Sequence, residues 1–210
     1  MFPATFMKNQ KMNSGKERHV CPPIVGYMLL SPLRNLVENP KKLFGPYVRE
    51  GMTVIEPGCG MGFFTIPLAK MVGPTGKVVA IDMQPVMLEK VRKRARRAGL
   101  EERIDCRLVE GSTLSLEGYA GKADLAVALH VVHEVPDHAL FFVELAGALK
   151  NGGKLLVHEP ASHVSETDFE QSLGCAEAAG FRIGIKENVG GSRRAELSVL
   201  PSETTGVRRG

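Results

Sequence analysis

Cysteine is scarce and scattered in this chain. The four present (Cys21, Cys59, Cys106 and Cys175) include no Cys-x-x-Cys pair. That spacing argues against a zinc ribbon or a disulfide framework and fits reduced thiols in a cytoplasm. No apolar run approaches the roughly 20 residues that a membrane-spanning helix needs, so no membrane insertion is expected. The first 19 residues mix Lys, Asn, Gln and Ser without a continuous apolar stretch, and no secretory signal is read there. A strong charge of one sign is missing too. The net charge is +4, and the basic residues gather only between Lys90 and Arg97 and near the C-terminus, which is not a nucleic-acid footprint. On the basic helix Met87, Val91, Ala95 and Ala98 share one face, leaving Lys90, Arg92, Lys93, Arg96 and Arg97 mostly to solvent. With 210 residues, 43 % of them hydrophobic, the chain can build one domain with a full core. Its expected location is the cytoplasm.

What is present is an alternation of strand and helix patterns. Residues 1–38 are too rich in proline for one helix, and Tyr27, Met28, Leu29 and Leu30 are too apolar for a free tail. That segment is read as a lid over the pocket, a cover for a sheet edge, or the contact of a homodimer. Asn39-Pro40 predicts a helix of about ten residues running to Glu50. From 39 to 200 the pattern predicts strands at Met52–Glu56, Lys77–Asp82, Ile104–Val109, Ala123–Leu129, Lys154–His158 and Phe181–Asn188. Helices fall between them at Phe63–Val72, Gln84–Ala98, Asp137–Leu149 and Glu166–Ala179. Alternating units of this kind imply an α/β, doubly wound parallel sheet. Gly190-Gly191 then joins Phe181–Asn188 to Arg193–Leu200, a hairpin that turns the last strand antiparallel. Residues 201–210 read as a tail.

The most telling stretch runs Val54-Ile55-Glu56-Pro57-Gly58-Cys59-Gly60-Met61-Gly62-Phe63-Phe64. It is an apolar strand ending in an acid, three glycines at alternate positions, and a helix start, which together make a cofactor cradle. A dinucleotide fingerprint would place its third glycine at position 63, which is Phe; here it stands at 62. Asp82, roughly 20 residues on at the end of the second strand, can chelate two ribose hydroxyls in either kind of cofactor site.

These features together resemble the class I S-adenosylmethionine-dependent methyltransferases of the small-molecule branch, of ubiquinone/menaquinone type or similar. The resemblance covers about residues 40–200. Glu56-Pro57-Gly58-Cys59-Gly60-Met61-Gly62 is similar to the first motif, Val79-Ala80-Ile81-Asp82 to the second, and Ala123–His130 to the fourth. Leu149-Lys150-Asn151-Gly152-Gly153 and Ala178-Ala179-Gly180-Phe181 are similar to the entries into the fifth and sixth strands. The family implies a Rossmann-like seven-stranded sheet in the order 3-2-1-4-5-7-6, with strand seven antiparallel.

It also implies S-adenosylmethionine as cofactor. Gly58, Gly60 and Gly62 would pass against it, Glu56 would hold its ammonium, Asp82 its ribose and Met83 its adenine. Gly111 and Ser112 head the loop at the adenine end, with Ser112 where many members carry a carboxylate. Leu129 closes the fourth strand beside the cofactor. Methyl transfer needs mainly alignment, with a base only for a protonated nucleophile. The candidates at the strand ends are His130, His133, Glu134, His158, Glu159 and His163. His130, beside the expected methyl position, is assigned the catalytic role. His133 is expected to cap or pack the following turn. No ligand-pair spacing links these histidines with the cysteines, so no metal site is assigned. The expected activity is methyl transfer to a small or medium-sized acceptor, with no nucleic-acid partner. The alternatives are a nucleotide-cofactor oxidoreductase and a catalytically silent S-adenosylmethionine-binding partner protein.

Overall fold

Alternation along each strand decides which helices cover which face of the sheet. The computed structural model describes residues 38–200, so all but the last residue of the segment 1–38, and the whole tail 201–210, lie outside the described residues. The strands are β1 (Thr53–Pro57), β2 (Lys77–Asp82), β3 (Ile104–Leu108), β4 (Ala123–Leu129), β5 (Leu149–Pro160), β6 (Phe181–Val189) and β7 (Ser192–Val199). They form one seven-stranded sheet in the order 3-2-1-4-5-7-6, as the family resemblance implied. β7 pairs antiparallel with both β5 and β6. The helices are α1 (Pro40–Phe44), α2 (Thr65–Met71), α3 (Pro85–Ala98), α4 (His138–Ala148) and α5 (Glu166–Ala178).

Val54, Val78, Leu125, Val127 and Leu156 point to one face, where Phe44, Ile66, Leu68 and Ala95 of α1, α2 and α3 bury them. Their neighbours Ile55, Val79, Ala126, Leu155 and Val157 point to the other, against Phe141, Phe142, Leu145, Phe169 and Leu173 of α4 and α5. The period of two in the sequence is therefore the two-sided core of the fold.

Two expectations are corrected. The first helix does not reach Glu50. Asn39 caps it, its side chain accepting from the backbone N–H groups of Lys41 and Lys42, but it stops at Phe44. Gly45-Pro46 follows, and a proline ring removes a donor and clashes with the turn before it. The fifth strand does not begin at Lys154. It begins at Leu149, which pairs with Ala123, and the motif Asn151-Gly152-Gly153 is absorbed as an irregularity within the β4–β5 ladder. Gly152, with φ of 74°, makes that irregularity possible. Elsewhere the boundaries shift by one or two residues. Asp137 caps α4 as expected, accepting from the backbone N–H of Leu140.

Among the described residues, no helix is long and apolar enough to cross a membrane.

Candidate active site

The glycine loop leaves β1 and is pinned from three sides. The backbone N–H of Gly60 donates to Asp82 Oδ2 at 2.9 Å, and that of Gln84 donates to Asp82 Oδ1 at 2.9 Å. Cys59 N–H bonds the Ile81 carbonyl at 3.0 Å, so the end of β2 holds the loop twice. From α3, Arg94 Nη1 donates to the Met61 carbonyl at 2.8 Å. Gly58 has φ of 66°, and a Cβ there would lie 2.5 Å from Val131 Cγ2. The loop is thus packed directly against the segment that follows β4. Gly60 differs: its φ is 52°, but a Cβ would meet nothing within 4 Å. Open space lies beside that stretch of backbone, as a ligand passing close to it requires.

Glu56 ends the buried part of β1. Burial pushes its carboxyl up to about 8; the nearby Thr65 hydroxyl and Arg94 pull it down, while Asp82 pushes it further up. Neither Glu56 Oε2 nor Thr65 Oγ1 closes a hydrogen bond among the described residues. A buried carboxyl oxygen without a donor fits a cationic group arriving from outside. Asp82, 9 % exposed, is raised by burial, with the backbone N–H groups of Gln84, Gly60 and Met83 acting against that.

Met83 stands exposed just after β2. Gly111, with φ of 72°, and the half-buried Ser112 begin the loop after β3. That loop is fixed at its far end by Glu144 of α4, which accepts from Thr113 Oγ1 and from the Leu114 N–H, both at 2.7 Å.

At the ends of β4 and β5 the alternation sorts the candidate residues. His158 follows Leu156 on the face of α1 and α2, whereas Glu159 follows Val157 on the face of α4. Glu159, 2 % exposed, accepts from the Val131 and Val132 N–H groups at 3.0 and 2.9 Å. It also bonds His133 Nδ1, and this contact raises the His133 pKa most, against the effect of burial. Glu159 and His133 thus clamp the turn Val132–Glu134. Glu134 follows in that turn, its carboxyl raised by burial. His163, exposed on the loop after β5, stands edge-on to His133 with ring centroids 6.2 Å apart.

His130 takes the other direction. Its backbone N–H bonds the His158 carbonyl at 2.7 Å, and its φ of 57° is left-handed, a conformation few side-chain-bearing residues adopt. Its Nε2 lies 2.6 Å from Glu38 Oε1, and its ring is 5.2 Å from that of His158. Glu38, Tyr47, Leu129, His158, Ile185 and Arg194 are among the residues that line a cavity of about 630 Å³.

The sequence model of a family described as a methyltransferase domain matches residues 48–191. The chain belongs to the class I S-adenosylmethionine-dependent methyltransferases. The methyltransferase domain is 33 % identical over 149 residues to a ribosomal protein L11 methyltransferase of Pelotomaculum thermopropionicum, covering 71 % of this chain and 44 % of that one. It is 35 % identical over 117 residues to a ubiquinone biosynthesis O-methyltransferase of Methylocella silvestris, covering 56 % of this chain and 43 % of the relative. The chain therefore spans less than half the length of these two curated relatives. A solved structure of an S-adenosylmethionine-dependent methyltransferase from Aquifex aeolicus superposes with a TM-score of 0.76 at 27 % identity, covering 85 % of this chain and 99 % of that one.

The family's cofactor is S-adenosylmethionine, and the cradle fits it: a donorless buried carboxyl oxygen at Glu56, a diol-sized acceptor at Asp82, and open space at Gly60. Sequence reasoning had passed over Arg94, Glu38, Glu144 and Arg194. Arg94 stands three residues after Val91 and four before Ala98, on the apolar face of α3, and that position hints at its inward reach. Changing Arg94 to Met releases the Met61 carbonyl. We expect about tenfold weaker binding of S-adenosylhomocysteine, the loss of one hydrogen bond to a charged group, measured by calorimetry against an unchanged fold by circular dichroism. Unaltered affinity would show that the loop needs no support from α3.

Proposed function

We propose that the protein transfers the methyl group of S-adenosylmethionine to a small or medium-sized acceptor seated in the cavity beside His130. The observation that carries this is the left-handed His130, bonded to Glu38 at the end of the strand that borders the cavity. Candidate ligand positions in open α/β sheets lie at such carboxyl ends. The domain of residues 39–200 holds all of these groups except Glu38, the last residue of the segment before it.

Bound in the cradle, S-adenosylmethionine supplies an electrophilic methyl on a sulfonium that leaves as a neutral thioether. Glu56 would take the ammonium, Asp82 the ribose hydroxyls, and Met83, Gly111 and Ser112 the adenine end, with Gly58, Gly60, Gly62 and Leu129 shaping the channel. His130 would orient the acceptor's heteroatom, its imidazole fixed by Glu38, and take a proton when the acceptor arrives protonated. Most of the rate gain then comes from alignment, worth several kcal/mol by orientation alone.

The direct test is calorimetry with S-adenosylhomocysteine followed by a screen of small acceptors with radiolabelled cofactor. Micromolar binding and transfer to one acceptor class support the reading. Millimolar or absent binding removes it.

Glu56 adds a pH signature. Its carboxyl titrates near 8 when folded, against an ordinary value of 4.5. A raised folded value means its contribution to stability is complete below 4.5 and is lost as pH rises through 8. An ammonium beside it reverses the preference, so cofactor binding near pH 7 should release a proton and tighten as pH climbs towards 8. Calorimetry in buffers of different ionisation heat should detect that release in the native protein and not in Glu56→Gln. Buffer-independent heats in both would refute it.

A further inference from the structure

Glu38, His130 and His158 come from three separate parts of the chain, and no sequence spacing relates them. In the fold they meet: one ligand atom from each, a carboxylate oxygen and two imidazole nitrogens, lie within 4.8 Å of one another. His158 is 2 % exposed, and the other two are partly buried. We infer that these three residues form a binding site for a divalent transition-metal ion at the wall of the cavity, the ion replacing the hydrogen bond now shared by His130 and Glu38.

The chemistry of the donor set selects the ion. Two neutral imidazoles and one carboxylate suit zinc, iron(II), cobalt(II) or manganese(II) better than magnesium or calcium, which prefer all-oxygen surroundings. Three protein ligands leave at least one coordination position open. Glu38 and His158 both line the cavity, so the open position faces the space a small molecule would fill.

His158 is already prepared for a cation. Arg194 Nε donates to His158 Nε2 at 3.0 Å, which requires that nitrogen to be unprotonated with its lone pair directed at a positive group. An ion taking that nitrogen would displace the guanidinium. It also has somewhere to go, because Glu187 Oε1 lies 3.9 Å from Arg194 Nη1. On the methyl-transfer reading, a bound ion would polarise the acceptor heteroatom in place of the imidazole.

The test uses the full chain and the metal alone. After treatment with chelator, cobalt(II) and zinc(II) are titrated by absorption and calorimetry. One equivalent should bind with micromolar or tighter affinity, and cobalt should develop visible bands of a low-coordinate nitrogen–oxygen site. Glu38→Gln and His130→Asn should each weaken binding by at least about 100-fold, more than the 10–100-fold that outer partners cost. Arg194→Gln should tighten it. His158→Asn removes the third ligand but also changes a buried side chain of β5, so Glu38→Gln and His130→Asn carry the decision. No stoichiometric binding, or binding that both of those variants leave intact, overturns the site. S-adenosylhomocysteine binding to the chelated protein is measured alongside. If it persists while no ion binds, the metal site fails and the methyltransferase reading stands; if it is absent while an ion binds, the reverse holds.

Discussion

Replacing Asp82 with alanine should weaken S-adenosylhomocysteine binding by two to three orders of magnitude. The carboxylate has two tasks. It holds the Gly60 and Gln84 N–H groups at 2.9 Å each, and it is the proposed acceptor for the cofactor's ribose hydroxyls. Hydrogen bonds to a charged group are worth about 1.5–3 kcal/mol each. Losing a pair of them to the ligand costs about 3–6 kcal/mol, and every 1.4 kcal/mol is tenfold, so the lower half of that range gives two to three orders. The released Gly60 N–H loosens the loop as well, so Asp82→Asn, which keeps one carbonyl oxygen, should recover part of the affinity. Calorimetry on the three proteins checks this. Affinity within threefold of native in the alanine variant would mean that the ribose is held elsewhere.

The largest loss of stability should come from Glu159→Ala. This carboxylate is buried at the end of a central strand and accepts from Val131 N–H, Val132 N–H and His133. Removing it strands two backbone donors and a histidine whose charged form it favours. Breaking a buried pair of this kind costs about 3–5 kcal/mol. For a domain of this size each kcal/mol moves Tm by about 2–4 °C, so a fall on the order of 10 °C is expected by calorimetric scanning. Glu159→Gln, whose amide oxygen can still accept from the backbone, should lose less. The alanine change should also impair cofactor binding, because Val131 sits directly against Gly58. A Tm within about 2 °C of native would show that the turn after β4 is held by packing alone.

Local chemistry made most of the fold legible. β2 and β4 occupy Lys77–Asp82 and Ala123–Leu129 as read from their apolar runs, and the glycine pair before β7 marked the reversal of the last strand. Where a local rule met a competing one, the reading failed. Gly45-Pro46 cut short a helix that Asn39-Pro40 had started, and pairing with Ala123 drew Leu149 into β5 despite the glycines after it.

The site divided along the same line. The cradle residues Glu56, Gly58, Gly60 and Asp82 are close in sequence or fall at a fixed spacing, so their pattern shows. Glu38 and His130 are 92 residues apart, and Arg94 reaches the Met61 carbonyl across 33. Such pairs exist only once the sheet is assembled. Even so, the strand period held one clue: adjacent residues in a strand face opposite ways, so His158 and Glu159 could not both reach the same pocket.

The antiparallel β7 lies inside the sheet although it follows the other six described strands in the chain. Until it arrives, β5 has an open edge facing away from β4, and β6 has no sheet to join. A ribosome making this chain therefore carries a half-formed sheet whose unpaired backbone groups invite pairing with other chains. A chain stopped just before Ser192 should aggregate, visible as light scattering, while the intact chain stays dispersed. The slowest step in maturation should be docking of the β6–β7 hairpin onto β5, the pairing of longer sequence separation that closes the sheet in one event.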